Sequence, residues 1–434
     1  MKLFTFPVSV IIFSVLALSG FQATAKDVTL DGETVKGPTP DIKVTYALNK
    51  TDKIARVKEV RDRSATGTKS SCVIPAKIKV DGVTYKVTKI GKDAFGYESF
   101  DKVVLPNTID EICEGAFAHV LFLSDCKIPS SVVKIGKNAF ANNLLTKVTI
   151  PASVTSIGDG AFSSNGLHEL YFEASSKPLT IGANAFRKNC FGPYTLVLPE
   201  RITSIGDGAF ADANQLNTLI INSRIIAIPA NCFNNCRILV SVEINGPVAT
   251  IGTSAFAGCE VLSTVTLATN SLKSIGANAF AGCNIRKIDN KFFMFGLNDI
   301  GDGAFSNNTE LTSVNLPVTI KSIGSNAFAN DNKIMAIDCV TLDVPQLAES
   351  AFTSNVYDNC KVNVLGDMIP QFRAAMGWRN FKWFLDAGVD DIIADEHAGE
   401  PIYFNLRGEP IATPEIPGIY IELRNGKSRK IYVQ

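Results

Sequence analysis

Apolar and polar positions in this chain repeat on two nested periods. The short period is two. In Leu145-Thr146-Lys147-Val148-Thr149-Ile150-Pro151 alternate residues are apolar, so the run reads as a short strand with one inward face, ended by a proline that has no ladder N–H. Pro106, Pro199 and Pro317 stop their runs in the same way. The long period is 22 to 25 residues, and it carries twelve copies of an Ile followed by Ala-Phe, usually as Ile-Gly-x-x-Ala-Phe. Ile90-Gly91 with Ala94-Phe95 opens the series, and Val344-Pro345 with Ala351-Phe352 is read as a degenerate last copy. A unit this short cannot bury its own apolar face and must stack on its neighbours, which predicts a solenoid of about twelve coils. At one strand spacing per coil the stack would be roughly 57 Å long.

Within one unit, Ser153 to Ile157 reads as a second short extended segment that corners at Gly158. In the following turn, Asp159-Gly160-Ala161-Phe162, the small Ala admits close coils and Phe162 points inward to stack on Phe140 and Phe186. The recurring pattern L-x-x-V-x-I-P-x-S-V-T-x-I-G-x-x-A-F, over residues 88–358, resembles the BspA-like leucine-rich repeat family, the Treponema-type repeat of bacterial surface proteins. Cys113, Pro229 and Cys232 depart from it, as does the insert Lys291-Phe292-Phe293-Met294-Phe295. The resemblance implies a secreted or surface-exposed binding protein and leaves the ligand open.

The flanks read as caps and signals. Residues 1–25 have the layout of a signal peptide: Lys2, an apolar stretch from Pro7 to Leu18, and an Ala23-Thr24-Ala25 cleavage site. Residues 26–87 alternate as β hairpins, with an Asp81-Gly82 turn, and form an N-terminal cap. Residues 359–388 form a C-terminal cap: a short helix around Met368 to Met376, then Trp378, Phe381 and Trp383 as an aromatic plug. Residues 389–434 open on an acidic linker, Asp390, Asp391, Asp395 and Glu396, and continue as a small β module. Its Asn405-Leu406-Arg407-Gly408, Pro417-Gly418-Ile419-Tyr420 and basic last strand resemble the C-terminal sorting domain of type IX secretion substrates in Bacteroidetes.

Charge narrows the partners. Forty-two basic and 42 acidic side chains, with no basic run, argue against nucleic acid. The acidic linker lacks the spacing of a calcium loop, no C-x-x-C pair exists, and no metal or cofactor is expected. Of ten cysteines, Cys236, Cys259 and Cys283 lie three residues after the repeat Phe and read as a ladder of buried free thiols. Cys126 and Cys339 take inward strand positions, while Cys72, Cys190 and Cys360 fit no repeat position. Catalysis has little to stand on. The three histidines, His119, His168 and His397, form no H-E-x-x-H motif, and neither G-x-S-x-G nor a P-loop occurs.

What remains is the outward side of the strands, where Lys147 and Thr149, Glu169 and Tyr171, Thr195 and Val197, Thr218 and Ile220, and Ser241 and Glu243 face solvent along one expected sheet. Its candidate ligand-binding residues are Tyr171, Val197, Ile220, Lys147, Glu169, Thr218 and Glu243, with Tyr171, Val197 and Ile220 as an apolar hot spot. The expected function is that of a non-catalytic, adhesin-like protein at the cell surface, binding a protein or glycan of a host or neighbouring cell. The alternative is a structural component of the producer's own envelope.

Overall fold

The computed structural model describes residues 35–36, 42–62, 70–192, 195–269, 271–288, 296–387, 402–404, 410–411, 413, 418–424 and 427–433. The expected signal peptide, the insert 291–295, the acidic linker and the Asn405-Leu406-Arg407-Gly408 motif lie outside them. The chain divides into two compact units, Met1–Tyr194 with Arg201–Asn214 and Thr195–Glu200 with Gln215–Gln434.

Each unit is a β-solenoid, and three backbone ladders per coil explain the repeat. The alternating segments become parallel strands. Thr195–Leu198, Thr218–Ile221, Ser241–Ile244 and Thr264–Leu267 pair in order, with Leu196, Leu219, Val242 and Val265 in one buried row. The segment before Gly shrinks to two residues in most coils, as in Ser156–Ile157 between Lys134–Ile135 and Leu179–Ile181, so only the end of the expected 153–157 stretch is strand. The third ladder runs through the Ala-Phe turn, where Phe117 N donates to the Ala139 carbonyl at 2.7 Å and Phe140 N to Ala161 at 2.7 Å. The same register places Leu347, not Val344, opposite Ile323, so the final copy is Leu347-Ala348 with Ala351-Phe352.

The glycine after the repeat Ile sits at a close approach between coils. A Cβ on Gly206 would meet Ala183 N at 2.4 Å and the Gly182 carbonyl carbon at 2.7 Å. Two further positions per coil, flanking Ala-Phe, take left-handed φ. The first is filled in turn by Asn138, Gly160, Asn184 and Gly208, at φ 51°, 61°, 54° and 64°. Asn and Gly are the residues that tolerate this region. Their alternation has a packing cause as well: a Cβ on Gly160 would lie 2.3 Å from Asn138 Oδ1, and one on Gly208 2.6 Å from Asn184 Oδ1.

Inside, the repeat phenylalanines stack. From Phe95 to Phe210 in the first unit and from Phe233 to Phe352 in the second, each ring lies on the next. Centroids are 5.1 Å apart for Phe140 and Phe162 and 5.3 Å for Phe162 and Phe186, with planes 5° and 2° apart. Burying each such side chain contributes about 1.5–3 kcal/mol.

Three residues beyond the repeat Phe, a second column in most coils ties neighbours together through buried polar groups. Asn165 Nδ2 donates to the carbonyls of Phe162 at 3.1 Å and Phe140 at 2.8 Å, and its Oδ1 accepts Leu145 N at 3.1 Å. Asn143, Asn189 and Asn308 repeat the arrangement. Cys236, Cys259 and Cys283 occupy the same column and are buried, with Cys259 Sγ donating to the Phe233 carbonyl and Cys283 Sγ to that of Phe256, both at 3.3 Å. Burial pushes the Cys283 thiol up to about 12. Cys126 and Cys339 are buried as well, and so are Cys72 and Cys360.

At the N-terminal side, Ile42–Asn49 and Ile54–Asp62 form an antiparallel hairpin, and Lys77–Val80 with Val83–Ile90 form another around Asp81 and Gly82, both at positive φ. Ile54–Asp62 then runs parallel to Val83–Ile90 and so joins the hairpins to the coils. At the C-terminal side, the helix Ile369–Ala374 carries Phe372 against the fully buried Trp378, whose Nε1 donates to the Pro345 carbonyl at 2.7 Å. Phe381 packs edge-on to Phe352. Trp383 departs from the expected plug: it takes an outward position on Trp383–Asp386, 57% exposed, because strand alternation turns Phe384 inward instead. The strands Ile402–Phe404, Pro410–Ile411, Gly418–Arg424 and Lys427–Val433 form an antiparallel sheet.

Candidate functional site

The outward strand residues do not line one continuous sheet. Hydrogen-bonded ladders separate Lys147–Ile150 with Glu169–Phe172, the four strands from Thr195–Leu198 to Thr264–Leu267, and the five from Lys287–Ile288 to Trp383–Asp386. The seven candidate residues therefore fall into two clusters, one in each unit.

In the first unit, Lys147 stands opposite Glu169 and Thr149 opposite Tyr171. Lys147 Nζ lies 2.6 Å from Glu169 Oε2 and 5.0 Å from the centre of the Tyr171 ring, so one cation is shared between a carboxylate and an aromatic face. The lysine hydrogen bond lowers the Glu169 carboxyl, and the same bond raises Lys147. Both groups are exposed, so the pair adds little to stability, and Tyr171 beside it is 53% exposed.

In the second unit, Val197, Ile220, Glu243 and Thr266 form one outward row and Thr195, Thr218, Ser241 and Thr264 the next. Val197 is 42% exposed and Ile220 half-buried. The neighbouring row is tied by hydroxyls: Ser241 Oγ donates to Thr218 Oγ1 at 3.4 Å, and Thr218 Oγ1 to Asn217 Oδ1 at 3.2 Å. Glu243 accepts from Asn245 Nδ2 at 2.7 Å, and the same amide nitrogen lies 2.9 Å from Asn222 Oδ1. The register joins Val197 to Ile220 as neighbours, and Tyr171 belongs to the Lys147 cluster. The result is a flat surface with an apolar pair beside a polar row.

Some exposed features are not marked by any sequence motif. Tyr97 and His119, at successive left-handed turn positions, stack 4.9 Å apart with planes 4° from parallel. On the two-residue-strand side, an open groove of about 480 Å³ is lined by Glu111, Lys134 and Asp159 in the first unit, and one of about 800 Å³ by Asp299, Val344 and Met376 in the second. Glu111 is held between Lys89 at 2.6 Å and Lys134 at 3.2 Å, and these bonds lower its carboxyl. Among the described residues no three His, Cys, Asp or Glu side chains converge as a metal site, and no helix is long and apolar enough to cross a membrane.

Parallel coils with a stacked Phe core and a polar column define the class: a leucine-rich-repeat solenoid. The BspA type leucine rich repeat region model matches residues 88–191, 179–294 and 292–364, and the chain belongs to that family. The pneumococcal vaccine antigen PcpA has a similar structure, at TM-score 0.50 and 19% identity over 83% of this chain and 100% of that one. A leucine-rich repeat protein from Bacteroides ovatus aligns at 0.39 and 19%, covering 79% of this chain and 97% of its own. A leucine rich cell surface protein from Faecalibacterium prausnitzii aligns at 0.38 and 20%, covering 81% and 94%. No curated protein sequence matches significantly.

Proposed function

We propose that this chain is an exported, surface-exposed binding protein with no catalytic role, adhesin-like in that its strand face engages a protein or glycan of a host or neighbouring cell. The observation that carries this reading is the outward row Val197, Ile220 and Glu243 beside the hydroxyl row Thr195, Thr218 and Ser241. It is a flat, mixed surface on a rigid ladder, suited to a large partner and unsuited to enclosing a small molecule. Membership of the BspA-type family supports a surface role, and the layout of residues 1–25 supports export. Under this reading residues 26–87 and 359–388 cap the coils, and residues 389–434 serve attachment or sorting.

The test is saturable binding of the purified mature chain to immobilised matrix proteins, mucins and glycans over a salt series. Binding to one class, with antibody labelling of intact producing cells, supports the proposal. Failure against the whole panel, together with labelling only after lysis, favours an internal envelope component. Hydrolysis of any panel member by the purified chain would contradict the non-catalytic reading.

A further inference from the structure

The polar column contains one residue that does not fit it as an ion. Three residues after Phe328, where the two preceding coils place Asn308 and Cys283, stands Asp331, fully buried. Its Oδ1 does what the amide oxygen does elsewhere, accepting Asn308 N at 2.6 Å. Its Oδ2 occupies the position of the amide nitrogen and has no partner. In the adjacent coil that nitrogen, on Asn308, donates to the carbonyls of Phe305 at 2.5 Å and Phe280 at 2.9 Å. On the pattern of Asn308, the equivalent acceptors for a donor at Asp331 Oδ2 would be the carbonyl oxygens of Phe328 and Phe305. An ionised carboxylate there would set oxygen against oxygen in a buried site, whereas a carboxylic acid would offer one O–H donor.

We propose that Asp331 is held as the neutral acid and donates its proton into the ladder, so that a single proton locks the coils around Phe305, Phe328 and Phe352 and its loss loosens them. Burial pushes the Asp331 carboxyl up to about 8, opposed only by the Asn308 N–H. No charged side chain adds to this effect. Among the ionisable groups of the flanking coils, Lys333 pairs with Glu310 at 2.5 Å and Asp358 with Lys382 at 2.9 Å, and the Tyr357 hydroxyl donates to the Glu349 carbonyl at 3.0 Å. An acid whose pKa is raised by folding gives its full contribution below the unfolded value, about 4, and loses it as pH rises through the folded one. The lock therefore weakens from mildly acid to mildly alkaline conditions, opposite to a salt-bridged aspartate.

The full chain and its Asp331→Asn variant are compared by thermal melting at about pH 5 and about pH 9, a window set by that titration. The amide supplies two N–H donors at any pH, so the variant should melt several degrees above wild type at the alkaline end and much closer to it at the acid end. A gap between the two proteins that does not change with pH would overturn the proposal. Infrared spectroscopy on wild type alone gives a second reading if the variant folds poorly. A protonated carboxyl band should persist at about pH 6, where exposed carboxylates are ionised, and vanish in alkali. Absence of that band at about pH 6 would also defeat the proposal.

Discussion

At the scale of single residues, the solenoid depends on polar atoms in its interior. Where consecutive coils both carry Asn, a Phe carbonyl accepts twice, from the Asn of its own coil and from that of the next: Phe140 from Asn143 at 3.0 Å and Asn165 at 2.8 Å, and Phe162 from Asn165 at 3.1 Å and Asn189 at 2.9 Å. Asn165→Ala consequently leaves those carbonyls with one donor each and orphans only the Leu145 N–H, which otherwise bonds Asn165 Oδ1 at 3.1 Å. An orphaned buried amide costs about 1–3 kcal/mol, and denaturant unfolding should show a loss of that order. A loss below about 0.5 kcal/mol, typical of a neutral surface change, would mean that the column does not hold the coils. The sequence displays the column only in part. Cys236, Cys259 and Cys283 stand out as a spaced triplet, whereas Asn143, Asn165, Asn189 and Asn308 share their offset from Phe yet look like ordinary turn residues. Asn favours turns in any case, so composition does not separate a buried Asn that bridges coils from an exposed one. Periodicity counted from Phe narrows the choice, although Asn355 shares the offset and is exposed.

At the scale of the coil, Ile-Gly-x-x-Ala-Phe is legible because each position answers a steric demand. Ile and Phe fill the interior, Ala admits the neighbouring coil, and Gly permits close backbone approach. Two glycines divide steric from conformational cost. Gly206 lacks positive φ, but a Cβ added there would stand 2.4 Å from neighbouring backbone, whereas Gly282 has φ 68° and the nearest atom to an added Cβ lies at 4.0 Å. Gly282→Ala should cost about 1–2 kcal/mol of left-handed strain. Gly206→Ala should cost more, because two coils must part, and thermal melting of the two variants ranks them; the reverse order would contradict the close-approach argument. Strand ends and registers are less legible. Val344-Pro345 mimics a degenerate repeat by spacing, but the ladder selects Leu347 opposite Ile323. Trp383 looks like a plug by composition and faces outward by strand alternation.

At the scale of the whole molecule, the repeat gives the fold away almost completely and the grouping of the candidate surface only partly. Outward positions follow from alternation, which is why none of the seven candidate residues is fully buried. Their grouping depends on which strands pair, and whether the strands of neighbouring coils join one ladder leaves no mark on local sequence. Tyr171 thus joins Lys147 and Glu169, and Val197 joins Ile220. If the strand face binds, the two clusters are separable by mutation.

The most direct measurement is the affinity of the full mature chain for the partner identified on the panel, compared with a Val197→Ser, Ile220→Ser double variant and a separate Tyr171→Ser variant, each checked by thermal melting. Interface anchors of this kind contribute about 2 kcal/mol or more, so at least one of the two should bind about tenfold more weakly or worse while keeping its fold. Unchanged affinity in both folded variants would place binding elsewhere on the molecule and contradict the strand-face account.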